Sequence, residues 1–137
     1  MKKIILLLTV ILFISCSSDD SNEDFNPTLE DLIGTYNLQS YTYEDVQMDV
    51  DECDLKQKVE FSSDEIKITG AYWNDSFLNE DCHVYSNTYR FLLEGTYINI
   101  ENNGSFSYSG RFIDNNTIRI RTYYDGMTGQ YIYKKSN

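Results

Sequence analysis

Apolar and polar residues alternate with a period of two along most of this chain, and that pattern leaves few folds open. Leu55, Val59 and Phe61 share one side of a run whose other side carries Lys56, Lys58 and Glu60. Phe106, Tyr108 and Phe112 oppose Ser105, Ser107 and Arg111, and Ile118 and Ile120 oppose Arg119 and Arg121. Side chains of a strand point alternately to its two faces, so each run reads as a strand with one buried face. Twelve tyrosines and seven phenylalanines suit such pleated surfaces. Eight strands are expected, at about 35–43, 55–62, 65–72, 83–93, 96–101, 105–113, 117–123 and 130–135. Asn103-Gly104 is the clearest hairpin turn, because a tight primed turn needs positive φ. Asp114-Asn115-Asn116, Asp125-Gly126 and Ser62 to Glu65 mark others. The single proline, Pro27, precedes every strand. Thr28 can cap a short helix with Glu30 and Asp31 in its first turn, ended by Gly34. The expected class is all-β: an eight-stranded antiparallel up-and-down barrel, whose closure removes exposed edges, behind one short helix. A two-sheet sandwich is the competing architecture.

The N-terminus gives an address. Lys2 and Lys3 precede an apolar run from Ile4 to Ile14, followed by Ser15 and Cys16. The run is shorter than the roughly 20 residues a helical span needs and fits the apolar region of a cleaved signal. With a small residue before a cysteine, the segment resembles a bacterial lipoprotein signal. That resemblance implies a signal peptide over 1–15 and lipidation (palmitate among the acyl groups) of Cys16. Residues 16–27 read as a flexible acidic tether and 28–137 as a single domain. The chain carries 22 acidic and 11 basic residues, and loss of Lys2 and Lys3 moves its net charge from −11 to −13. Such a surface repels phosphate backbones, which excludes nucleic acid as the expected partner. Attachment to a membrane must then come through acyl chains on Cys16.

With Cys16 assigned, Cys53 and Cys82 remain as an even pair in an exported chain, which reads as a disulfide. In an up-and-down barrel the connections alternate between two poles. Short turns near 62–65, 94–95 and 114–116 share the pole where the tether enters. Loops 44–54, 73–82, 102–104 and 124–129, with both cysteines, share the other. That pole is acidic, with Glu44, Asp45, Asp49, Asp51, Glu52, Asp54, Asp75, Glu80, Asp81 and Asp125. The run lacks the glycine of a calcium loop, and no metal site or cofactor is read from it.

Leu32-Ile33-Gly34-Thr35-Tyr36-Asn37-Leu38-Gln39-Ser40 resembles the opening of bacterial lipocalin-like domains, commonly L-x-G-T-W-x-L-x-S. Cys53 before Lys58-Val59-Glu60-Phe61, Cys82 before the fourth strand, and the ending Tyr133-Lys134-Lys135 extend the likeness over about residues 30 to 135. Tyr36 stands at the tryptophan position, where it can plug the narrow end of a barrel. The signal and the acidic stretch after Cys16 resemble lipoproteins of Bacteroidota, which implies the outer membrane, lipid-anchored and facing the periplasm or the cell surface. The lipocalin resemblance implies a small apolar or amphipathic ligand inside the barrel. Candidate lining residues from the buried faces are Tyr36, Phe61, Tyr72, Tyr89, Phe106, Tyr108, Phe112 and Tyr131. The plainer reading is that these rings form the core.

No catalytic constellation stands out. His83 is the single histidine, and no serine or cysteine sits in a nucleophile motif. The expected function is therefore binding without catalysis. An alternative is an interaction module whose long loops, with Tyr72, Trp73 and Phe77 as anchors, contact a protein or glycan.

Overall fold

A computed structural model describes residues 25–74, 81–101 and 106–137. The expected signal, Cys16, most of the expected acidic tether, Asp75, Phe77, Glu80 and the turn expected at Asn103-Gly104 lie outside the described residues.

Thr28 caps a single helical turn, α1 (Leu29–Leu32), in a reciprocal box: its hydroxyl accepts from the Asp31 amide, and the Asp31 carboxylate accepts from the Thr28 amide at 2.7 Å. Gly34, at φ +140°, turns the chain into the first strand. The strands are β1 (Gly34–Tyr43), β2 (Val46–Met48), β3 (Lys58–Phe61), β4 (Glu65–Asn74), β5 (Asp81–Glu94), β6 (Tyr97–Ile100), β7 (Ser107–Asp114), β8 (Thr117–Tyr124) and β9 (Met127–Lys135). Every pairing is antiparallel, and β1 pairs with β9. The eight strands β1 and β3 to β9 thus close a barrel, and β2 hangs on β1 as a short hairpin arm. The sandwich alternative does not hold.

Differences from the sequence reading have local causes. β2 follows a two-residue turn, Glu44-Asp45, with positive φ at both residues (48° and 63°). Its geometry matches an Asn-Gly turn, but its residues carry no such signal. β3 begins at Lys58 rather than Leu55. The Asp51 carboxylate accepts from the amides of Cys53 (2.7 Å) and Asp54 (2.9 Å) and winds Asp54–Lys56 into a 3-10 turn. Leu55 is left exposed, and Gln57 takes the inward position before Val59 and Phe61. A bulge in β1, between Leu38 and Ser40 against β9, shifts the alternation by one, so that Tyr41 faces Tyr131.

The core is densest at the pole where α1 enters. Leu32 and Tyr36 are fully buried, with Phe61, Ile98, Phe112 and Ile118 around them. The Tyr36 ring meets Phe61 edge-on at 5.7 Å and its hydroxyl donates to the Asp31 carbonyl. Phe25 packs edge-on against Phe112. The α1 pole is therefore closed by side chains and by α1.

Candidate functional site

At the opposite pole lie the 44–57 segment, the end of β4 and start of β5, the end of β6 and start of β7, and the β8–β9 turn. There β3 is too short to complete the wall, since it pairs with β1 only from Gly34 to Asn37. The 3-10 turn fills the gap between the upper parts of β1 and β4. Three ties hold it. Cys53 is bonded to Cys82 at the start of β5, with Cα atoms 5.5 Å apart. Trp73 Nε1 on β4 donates to Asp51 at 2.6 Å. Tyr41 on β1 donates its hydroxyl to Asp54 at 3.2 Å, and Gln57 Nε2 donates to Asp54 at 2.9 Å. Asp51 and Asp54 are thus structural acids, and the amides and indole around Asp51 hold its carboxyl below the usual range. Glu44 is likewise engaged, accepting from the Thr128 amide across the mouth. Among the described residues, no group of three or more His, Cys, Asp or Glu is arranged to hold a metal ion.

Inside this wall lies a cavity of about 90 Å³. Ile68, Gly70, Tyr85, Phe106, Tyr108, Ile120, Thr122, Tyr131 and Tyr133 line it, with Gln57 and Thr69. Its lining mixes the aliphatic Ile68 and Ile120 and the Phe106 ring with four tyrosines, Gln57 and two threonines, the mixture of apolar surface and a few polar groups that small-molecule sites present. Burial raises the pKa of Tyr85, Tyr108, Tyr131 and Tyr133, so all four are neutral donors and acceptors at physiological pH. Tyr85 reaches the cavity from an exposed strand because its partner across the ladder is Gly70. A Cβ built on Gly70 would overlap the tip of the Tyr85 ring. Phe106 stacks on Tyr124 at 4.1 Å, and both rings are partly exposed at the rim.

The eight residues expected to line the lumen divide into three groups. Phe106, Tyr108 and Tyr131 line the cavity. Tyr36, Phe61 and Phe112 belong to the closed pole and fill it, which is the plainer of the two readings. Tyr89 stands behind Tyr108, the ring centroids 5.1 Å apart, and Tyr72 is exposed, stacked on His83. Sequence reasoning missed Tyr85 and Tyr133. Tyr133 shares the parity of Tyr131 and could have been found by extending it. Tyr85 sits in Val84-Tyr85-Ser86-Asn87, where no apolar alternation marks a face.

No protein-family model matches the chain, and no curated protein matches it either.

Proposed function

We propose that this protein is a non-catalytic, lipid-anchored barrel that binds a small amphipathic molecule at the pole away from its anchor. The cavity carries this reading: a void inside a closed barrel, lined by aliphatic side chains and neutral phenols, on the side of the loop pole. Its size limits the occupant. Benzene fits a cavity of about 150 Å³, and drug-sized ligands take roughly 300–1,000 Å³. A void of about 90 Å³ admits a ring only if the mouth widens. Tyr85 and Phe106, 50% and 48% exposed, are the rings placed to swing outward. The preferred ligand is accordingly a single aromatic or short aliphatic group with one polar end, not a long acyl chain. The N-terminal address and the lipocalin-like opening support the anchor at Cys16 and the outer-membrane location.

Thermal unfolding in the presence of p-cresol or indole tests the cavity. A saturating ligand at 100 times its Kd adds about 2.7 kcal/mol of stability. Thr122→Phe, which fills the void from β8, should abolish the rise in Tm. No rise with any small aromatic, or a rise unchanged in Thr122→Phe, excludes the lumen as the site. Labelling with palmitate tests the anchor separately, with Cys16→Ser as the unlabelled control.

A further inference from the structure

The outer wall of the barrel carries a feature that the lumen does not use. On β6, β7 and β8, six outward residues form a grid set by the strand register. One row is Tyr97, Arg111 and Arg119, and the next is Asn99, Ser109 and Arg121. Three of the four arginines of the chain thus meet on one patch of a protein whose net charge is −11. Arg111 and Arg119 are direct cross-strand partners. Like charges placed so oppose folding unless something compensates them. No carboxylate does: among the described residues none forms an ion pair with these arginines, and the two ion pairs found join Lys58 and Lys67 to Glu60. The acid in the same row, Glu94, lies one strand beyond Tyr97 and accepts from Asn99 Nδ2 at 2.8 Å.

What partners the arginines do have leaves donors free. The Arg111 guanidinium lies over the Tyr97 ring at 5.1 Å, and Arg121 Nε donates to Gln130. Ser109, the smallest side chain of the grid, sits at the middle of its row and leaves a hollow of about 80 Å³. Tyr97, Asn99, Arg111, Arg119 and Arg121 bound it. Guanidinium groups present fixed forks of donors that match oxyanions, and a serine hydroxyl and an asparagine amide add two more. A hollow of that volume takes one such group. We propose that this hollow binds a phosphate-type tetrahedral oxyanion. A carboxylate offers two oxygens to one fork, whereas a doubly charged tetrahedral anion can face all three guanidiniums. The overall negative charge does not forbid it, because at physiological salt fields decay over about 8 Å and the local cluster dominates. The site is separate from the lumen and stands or falls independently of a ligand there.

Amide chemical shifts of the isotopically labelled full chain, titrated with inorganic phosphate, test the assignment. Saturable shifts are expected at Asn99, Ser109, Arg111, Arg119 and Arg121, absent with chloride at equal ionic strength. The double variant R111Q/R119Q should weaken binding at least tenfold. Ser109→Leu, which fills the hollow and keeps every charge, should do the same. A parallel flotation assay uses vesicles of phosphatidylcholine with and without phosphatidylglycerol. Stronger flotation with phosphatidylglycerol than without it, the gain being lost in both variants, assigns the hollow to a lipid headgroup phosphate. A response to inorganic phosphate alone assigns it to a free anion. No saturable response in either arm, or responses equal in wild type and variants, overturns the proposal.

Discussion

Gly70 and Tyr85 compete for one volume at the mouth of the barrel, and the glycine yields it. Gly70→Ala should push the Tyr85 ring outward and cost about 1–3 kcal/mol, as overpacking does. In a Tyr85→Ala background the same substitution should cost well under 1 kcal/mol, so the denaturant-unfolding cycle should show strong coupling. Additive effects would mean that the ring does not rest on Gly70. The phenols also set a pH limit. Burial, and then the nearby Asp31 and Asp54 respectively, push Tyr36 and Tyr41 from 10.0 to about 12. A raised pKa means that the folded state favours the neutral phenol. That contribution is complete below pH 10, where both states are protonated, and is lost as pH rises from there through about 12. Phenolate absorbance should rise in two phases, exposed tyrosines first and the buried set together with unfolding. A single phase near the ordinary tyrosine pKa would contradict the burial of these rings. Alternation marked Tyr108 and Tyr131 as inward, because it shows which residues share a face, whereas Tyr36 was expected as a plug only from the lipocalin-like resemblance of residues 32–40. Neither could reveal Tyr85, whose inward reach depends on the absence of a side chain on the neighbouring strand.

Among elements, the 49–57 segment is the one the sequence described least well. Its apolar-polar alternation from Leu55 onward suggested strand, but the Asp51 carboxylate bends the chain through the amides of Cys53 and Asp54, and the amides of Leu55, Lys56 and Gln57 then donate back to the carbonyls of Asp51, Cys53 and Asp54 instead of to a ladder. The turn so formed is held by a disulfide whose cysteines are 29 residues apart, a loop worth roughly 3–4 kcal/mol in the chain-entropy picture. Cys53→Ala should lower stability by about that much under non-reducing conditions. It should also raise hydrogen exchange at residues 51–57 more than at β6 to β9, because the wall there has no ladder to fall back on. Uniform exchange across the barrel would contradict the role assigned to the bridge. At β7 and β8, the opposed Arg111 and Arg119 make a second prediction. Arg119→Gln should leave stability unchanged or raise it, by about 0.2–1 kcal/mol in phosphate-free buffer, since it removes a like-charge pair. A loss beyond 1 kcal/mol on thermal unfolding would show that Arg119 has a compensating partner. Strand order and hairpin positions were readable because turn residues punctuate them. The β1–β2 hairpin was not, since Glu44-Asp45 adopts positive φ without glycine or asparagine.

At the scale of the whole molecule, the two poles differ in kind. One is packed solid by Leu32, Tyr36, Phe61 and Phe112 beneath α1. The other is walled by a disulfide-tied segment and holds a void edged with phenols. Which connections share a pole was legible in the sequence, because an up-and-down order sends alternate connections to opposite ends; which pole is packed solid was not, and Tyr36, Phe61 and Phe112 read as candidate lining beside Phe106 and Tyr131. The size of the void was not legible either, since it depends on where each ring leans. The direct test of the central claim is the set of intermolecular nuclear Overhauser contacts between p-cresol at saturation and the tyrosine ring protons. Binding in the lumen predicts contacts to Tyr108, Tyr131 and Tyr133 and none to Tyr36. Contacts confined to outer-wall rings such as Tyr97 and Tyr123, or none at all, would contradict it.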